Sequence, residues 1–311
     1  MKILALDEIK LILSTLDPLP LIEQGFVEYS QGLVTVPPIG ELVMDKGEVH
    51  IKYGCVKGGD YYTIKIASGF YHNAELGLSS GNGLMLLFSQ ETGAPVCTLY
   101  DEAYLTDIRT AVAGAIAAKY LAPKDVSAIG IIGTGMQARL QALYLKDITP
   151  CRDIIVWGRD AHKAALYKQD MVQQGFTVRI AQTISDVMAS ANLIVTTTPA
   201  KSPLIKAQDI RPGVHITAVG SDTVDKQEVE AEVLAMADMI VADSISQCLE
   251  RGEIFQALKE KQIEVSDVVE LGDVIARNAG RSNANQITIA DLTGVAVQDI
   301  KIAEAIYLAS L

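Results

Sequence analysis

Residues Gly130 to Ala138 read G-I-I-G-T-G-M-Q-A, and an apolar run at 127–132 leads directly into them. Gly133, Gly135 and Ala138 hold the G-x-G-x-x-A spacing of a loop that joins a strand to a helix. Each position has a physical reason. Gly133 permits the tight turn, Gly135 lets the backbone approach a pyrophosphate, and Ala138 allows the helix to pack closely on the strand. The helix N-terminus then offers amide donors and the positive end of its dipole to phosphates. A bland glycine-rich turn is the competing explanation. A second apolar strand, at 154–157, follows where a βαβ unit needs it, so a dinucleotide is the expected ligand.

The pattern continues in the same manner. Apolar runs at 193–198, 214–219 and 239–243 alternate with helical stretches, as in a parallel sheet covered on both faces. Before Pro123 the texture differs. Residues 48–52 (EVHIK) and 61–67 (YYTIKIA) alternate like half-buried strands, and 84–101, with Thr92-Gly93 at its centre, reads as a hairpin. Leu105, Ile108, Val112, Ile116 and Tyr120 then recur at helical spacing up to Pro123. A chain of 311 residues has room for two domains. The expected fold is α/β. A Rossmann-type doubly wound parallel sheet fills 123–298, and a mixed, largely antiparallel α+β domain for substrate binding and dimerisation fills 1–122. The helical stretch at 299–311 would return to complete the latter.

Charge narrows the partners. With 26 basic and 38 acidic residues the net charge is -12, which repels phosphate backbones and anionic membranes, and aromatics at 5% leave few stacking platforms. Neither nucleic acid nor a membrane is an expected partner. Cys55, Cys97, Cys151 and Cys248 show no C-x-x-C spacing, and the apolar start is ended by Asp7 and Glu8, so a cytoplasmic location is expected. His50, His72, His162 and His215 have no metal-ligand spacing and read as structural; no metal is expected.

The strand at 154–157 ends in Gly158-Arg159, where a free ribose 2'-hydroxyl would want Asp or Glu. An arriving guanidinium favours a 2'-phosphate, so NADPH is expected over NADH. Against this, Arg159 also suits a solvated loop, and the adjacent Asp160 would serve NADH.

Five blocks carry a wider resemblance: YLTDIRTAVAGAIAAKYLA at 104–122, IGIIGTGMQARLQ at 129–141, TTTP at 196–199, AVGSD at 218–222 and DLTGVAVQD at 291–299. In this order the chain resembles the ornithine cyclodeaminase/mu-crystallin family of NAD(P)-dependent enzymes. The resemblance implies a homodimer, built from an antiparallel domain and a Rossmann domain. Members include ornithine cyclodeaminase, alanine dehydrogenase and reductases of cyclic ketimines.

The resemblance also implies roles. Arg109 would bind the substrate carboxylate, Lys65 would join it beside the reacting carbon, and Asp222 would contact the substrate nitrogen and act in proton transfer. Cofactor contacts would come from Thr110, Gly133, Thr134, Gly135, Met136, Gln137, Arg159, Thr197, Val219, Ser221 and Val295. The residues alone support plainer alternatives. For Arg109 the alternative is a surface ion pair, although Thr106 would cap a helix with Arg109 in its first turn, where a cation opposes the dipole and so makes sense if it meets an anion. Lys65 lies between Ile64 and Ile66, and by alternation alone it faces solvent. Asp222 would suit an Asx-turn, and Thr293-Gly294 a helix-capping turn.

Two departures bear on the substrate. Lys52 stands where diamine-using members resemble one another in carrying a Glu, and a lysine there repels the distal ammonium of ornithine. After Pro37-Pro38 the chain reads Ile39-Gly40-Glu41, without the family's common Arg, so the carboxylate clamp would rest on Lys65 and Arg109 with Lys52. The expected activity is NAD(P)H-dependent reduction of a small cyclic imino acid, with Δ1-pyrroline-2-carboxylate to L-proline foremost. Ornithine cyclodeaminase, alanine dehydrogenase and a mu-crystallin-like ligand-binding protein are the alternatives.

Overall fold

A computed structural model describes residues 1–311 apart from the side chains of Tyr71 and Ala74. Along the chain lie β1 (Lys2–Ala5), α1 (Leu6–Leu13), α2 (Pro18–Ser30), β2 (Val34–Thr35), β3 (Gly40–Met44), β4 (Gly47–Val56), β5 (Tyr61–Gly69), β6 (Gly81–Ser89), β7 (Pro95–Tyr100) and α3 (Tyr104–Leu121). Then come β8 (Ile129–Ile132), α4 (Met136–Tyr144), β9 (Asp153–Trp157), α5 (Ala161–Gln173), β10 (Thr177–Ile180), α6 (Ile184–Ser190), β11 (Leu193–Thr196), β12 (Lys201–Ile205) and β13 (His215–Ala218). The remainder holds β14 (Gln227–Val229), α7 (Ala231–Ala235), β15 (Met239–Ala242), α8 (Ile245–Cys248), α9 (Gly252–Lys259), β16 (Val268–Glu270), α10 (Leu271–Arg277), β17 (Thr288–Asp291) and α11 (Ala296–Ala309). The chain divides into two compact units, Met1–Arg109 with Val295–Leu311, and Thr110–Gly294. The division falls inside α3, earlier than the change of texture at Pro123.

The first unit is a seven-stranded sheet in the order β1-β7-β6-β5-β4-β2, with β3 also on β4. Only the β1/β7 ladder is parallel, and β4, β5 and β6 form an antiparallel meander. The β6–β7 turn closes with Gly93 at φ 70, a left-handed conformation that suits glycine. One face of the meander presents Lys52 and Gly54 from β4, Thr63 and Lys65 from β5, and Met85 and Leu87 from β6, all buried. Helix α11 packs on β4, β5 and β6 and buries Ile300, Ile302, Ala303 and Ile306. Gly54 permits that approach, because a Cβ there would lie 2.4 Å from the Thr35 carbonyl oxygen and 3.3 Å from Ile300. The opposite face carries Ile51, Tyr53, Ile64, Ile66, Leu84 and Leu86, none of them fully buried.

The second unit is an eight-stranded, all-parallel sheet in the order β10-β9-β8-β11-β13-β17-β15-β16. Strands β8, β11, β13 and β17 are buried at every residue, as a sheet covered on both faces requires. The order reverses between β8 and β11, the switch point at which such sheets bind ligands. The expected strands at 127–132, 193–198, 214–219 and 239–243 overreach their ladders by one or two residues. Strand β17 was hidden in the sequence: Asp291, taken as the first residue of the DLTGV segment, ends a central strand. His215 fits its structural assignment. It bridges the Thr288 and Thr217 hydroxyls at 2.9 Å, and burial, with Arg281, drives it down to about 3, so it stays neutral.

Candidate active site

In the second unit, Gly133 has φ 126 and its N–H donates to the Trp157 carbonyl at 2.9 Å, bringing the glycine loop against the end of β9. A Cβ on Gly133 would sit 2.4 Å from the Thr197 hydroxyl. Gly135 precedes α4 with extended backbone, and a Cβ there would meet nothing within 4 Å, so the approach to the helix N-terminus is open. Ala138 is fully buried beneath. Beside the loop lies a cavity of about 420 Å³, whose lining includes Gly133, Thr134, Gly135, Arg159 and Thr197. These residues fit a dinucleotide: open backbone donors at a helix start, and room beside them.

Arg159 lines the cavity with Lys163, a second cation that the sequence pattern did not single out. Asp160, the NADH alternative, accepts the Lys163 N–H at 3.0 Å as the N-cap of α5, and that bond holds its carboxyl below the ordinary value. Other expected contacts lie elsewhere. Met136 is 60% exposed and Gln137 half-buried, and neither lines the cavity. The Thr110 carbonyl accepts from Gln141 at 3.1 Å. Val219 and Val295 are buried, and the hydroxyl of buried Ser221 donates to Glu253, so the Ser221 side chain is directed into the protein.

Asp222 ends the AVGSD segment with its side chain 41% exposed, and its Oδ1 accepts from the buried Lys226 ammonium at 2.7 Å. Arg251 reaches the Asp222 carbonyl at 3.3 Å. Neither Lys226 nor Arg251 stood out in the sequence. The Thr293-Gly294 turn does not cap α11 through Thr293: Asp243 accepts the Thr293 hydroxyl at 3.1 Å and the Gly294 N–H at 2.6 Å, and the helix N-cap is Val295.

The first unit brings together Lys52, Lys65 and Arg109, which are 6%, 2% and 5% exposed. Lys52 and Lys65 are direct partners in the β4/β5 register, so their side chains share one face. Lys65 does not face solvent: its alternation with Ile64 and Ile66 points it into the buried side, under α11. There its ammonium lies 3.0 Å from both oxygens of Asp299. Arg109 meets the same carboxylate through Nε at 3.0 Å and donates to Gln298 at 2.9 Å. Arg109 is therefore no surface ion pair.

Thr106 is not the helix cap. Helix α3 begins at Tyr104, and Asp101 accepts the Leu105 N–H at 2.8 Å, which moves Arg109 beyond the first turn. Burial, then Arg109 and Lys52, lower Lys65 to about 7 against the pull of Asp299. Burial pushes Asp299 up, but Arg109, Lys65 and Lys52 outweigh it and hold the carboxyl below its ordinary value. The result is a buried cluster in which three cations surround one carboxylate, chemistry suited to receiving an anion. Where the family's Arg would follow Pro37-Pro38, Glu41 stands opposite His50 at 3.5 Å. Asp299 and Gln298 went unassigned in the sequence, although both lie inside the DLTGVAVQD block.

Comparison with known proteins finds relatives over nearly the whole chain. A family model described as the ornithine cyclodeaminase/mu-crystallin family matches residues 2–310. An uncharacterized cyclodeaminase of Sinorhizobium fredii is 40% identical over 310 residues, covering 97% of this chain and 94% of that protein. An alanine dehydrogenase of Archaeoglobus fulgidus is 34% identical, covering 98% and 94%. The structure of a Δ1-pyrroline-2-carboxylate reductase from Thermococcus litoralis, in complex with NADH and L-proline, superposes with TM-score 0.93 at 26% identity, covering 100% of this chain and 97% of that one.

Proposed function

The chain belongs to the ornithine cyclodeaminase/mu-crystallin family, and within it we propose an NAD(P)H-dependent reductase of a small cyclic 2-imino acid, Δ1-pyrroline-2-carboxylate to L-proline foremost. The observation that carries this is the buried cluster of Lys65, Arg109 and Asp299, with Lys52 beside it. Lys65 and Arg109 hold the substrate carboxylate, and Asp299 and Gln298 hold the two cations in place before it arrives. When bound, reduced nicotinamide supplies a hydride for the C=N carbon. Asp222, anchored by Lys226, stabilises the protonated imine; hydride addition discharges it to the neutral amine, which then takes up a proton from solvent to leave as the ammonium.

NADPH is the preferred cofactor in this proposal, because two cations, Arg159 and Lys163, line the cavity with one acid, Asp160, and that acid is engaged as a helix cap. A homodimer would cover the half-exposed apolar face of Ile51, Tyr53, Ile64, Ile66, Leu84 and Leu86. A small-molecule substrate and a cytoplasmic location complete the proposal. Among the described residues no helix is long and apolar enough to cross a membrane.

Lys52 favours one second candidate, a 2-imino acid with a further carboxylate, because two ammonium groups then share the anion-binding face. It disfavours ornithine for the same reason. The test is NADPH oxidation with five-membered and six-membered cyclic ketimines, a dicarboxylic 2-imino acid, and pyruvate plus ammonia; L-ornithine is assayed with NAD+ or NADP+, which its cyclodeamination needs as the first hydride acceptor. Stoichiometric NADPH oxidation with the five-membered ketimine is expected. Ammonia release from ornithine without net oxidation would replace the proposal with cyclodeamination. NADPH binding with no turnover of any compound would favour a ligand-binding role.

A further inference from the structure

One buried carboxyl joins the loops that follow two neighbouring strands of the second unit. Glu228, in β14, is fully buried. Its Oε1 accepts the Thr198 N–H at 2.6 Å and the Thr198 hydroxyl at 2.7 Å. Its Oε2 meets the Thr196 hydroxyl and the Gly220 N–H, each at 2.8 Å. Thr196 and Thr198 flank Thr197 at the end of β11, and Gly220 lies two residues before Asp222, in the loop after β13.

The β11/β13 register ends at Thr196 and Ala218, with one further main-chain bond from Val219 to the Thr196 carbonyl at 3.0 Å. Past that point the loops are linked through Glu228. They approach so closely that a Cβ on Gly220 would lie 2.2 Å from the Thr198 carbonyl oxygen and 2.5 Å from Glu228 Oε2. Glu253, at the start of α9, secures the strand that carries Glu228: it accepts the Glu228 N–H at 2.8 Å, the Val229 N–H at 3.0 Å and the Ser221 hydroxyl. A fully satisfied buried network of this kind specifies one arrangement of the backbone around it.

We propose that Glu228 is a positioning residue for the reaction, fixing the spacing between loop 197–200, which lines the cofactor cavity, and loop 219–222, which carries Asp222. This rests on the assignment of that cavity to a nicotinamide dinucleotide.

Glu228→Gln tests it with little change in shape. The amide oxygen keeps both Thr198 bonds, but an NH₂ group then confronts the Gly220 N–H, so the two loops separate. Cofactor affinity is read from the fluorescence of bound NADPH, well below the melting temperature, and turnover from imine reduction. The NADPH Kd should rise about tenfold and kcat fall about tenfold, while the KM for the imine, whose carboxylate is held by Lys65 and Arg109, moves by less than about twofold. Glu228→Asp, one methylene too short to reach both loops, should restore neither. If circular dichroism shows Glu228→Gln unfolded, Thr196→Val decides, because Thr196 binds Glu228 without lining the cavity. Its NADPH Kd should rise about threefold. Folded variants with wild-type Kd and kcat would overturn the positioning role. Failure of the wild type to bind either nicotinamide cofactor would instead overturn the cavity assignment.

Discussion

Replacing Lys65 by Met removes the ammonium that lies 3.0 Å from Asp299 and leaves a buried chain of similar length. Asp299 keeps Arg109 at 3.0 Å, so the carboxylate is not stranded. A hydrogen bond to a charged group contributes about 1.5–3 kcal/mol, roughly 10- to 100-fold in kcat/KM for a substrate carboxylate. Burial, Arg109 and Lys52 place Lys65 at about 7, so its charged fraction falls about tenfold for each pH unit above that. Because kcat/KM reports the free enzyme, the pull of the substrate on this lysine does not enter.

The quantity to measure is the ratio of wild-type to Lys65→Met kcat/KM, from initial rates of NADPH oxidation between about pH 6 and pH 9. Taking the ratio cancels the titration of the imine itself. It should be largest at the acid end and fall toward unity at the alkaline end. A ratio near one throughout, or one independent of pH, would refute the carboxylate-binding role. Stability carries the opposite sign. Unfolded, the lysine returns to 10.5, so between about 7 and 10.5 the unfolded chain holds more protons and stability rises with pH. Below about 7 both states hold the proton and the burden of the buried charge is present in full. Lys65→Met should therefore melt above wild type at about pH 6, and the difference should narrow by about pH 9.

Arg159→Ala should raise the KM for NADPH by about 10- to 100-fold and leave that for NADH nearly unchanged; equal effects on both cofactors would assign Arg159 elsewhere. Asp222→Ala should lower kcat by about a hundredfold or more with the NADPH Kd intact, and loss of cofactor binding would make it a cofactor residue instead. Gly133→Ala forces a side chain into φ 126 and to 2.4 Å from Thr197, so cofactor binding should be lost and the melting temperature should drop; a wild-type Kd would contradict that geometry. Burial, with Glu253, pushes Glu228 up to about 8, and burial pushes Glu253 to about 7, both from 4.5. Their contribution to stability is present in full below about 4.5 and is lost as pH rises through about 7 to 8, so Glu228→Gln should show a shallower fall in melting temperature over that range than wild type.

The glycine loop of the second unit was legible because its signal is local. Gly133, Gly135 and Ala138 sit within six consecutive residues, and each answers a constraint of the same strand, turn and helix. The cation cluster of the first unit was legible only through the family resemblance, which named Lys52, Lys65 and Arg109 but not Asp299. Asp299 meets Lys65 across 234 residues of chain, and no spacing announces such a contact. The misplaced cap at Thr106 has a local cause: Glu102 and Ala103 adopt φ of 53 and 68, so the chain turns sharply after Asp101 and the helix starts earlier than apolar spacing suggests. Strand β17 escaped because a four-residue strand ending in Asp resembles the start of a loop.

The alternation of β5 was visible, but taken alone it turns the faces the wrong way round, and only the family resemblance set Lys65 against it. Polar residues on alternate positions of an antiparallel strand ordinarily face water, yet Lys52 and Lys65 turn inward while Ile51, Ile64 and Ile66 lie on the more open side. Like charges directly opposite in an antiparallel pair oppose folding, and burial strengthens their repulsion. Asp299 offsets part of this, not all, because one carboxylate serves three cations. An arrangement that breaks both the binary pattern and the pairing rule is one that stability alone would not select. An arriving anion would relieve it, which is why the inverted strand, more than the glycine loop, supports the proposed class of substrate. The apolar outer face follows from the same inversion: with the lysines turned in, the isoleucines must face out, and a second copy of the chain is the proposed cover.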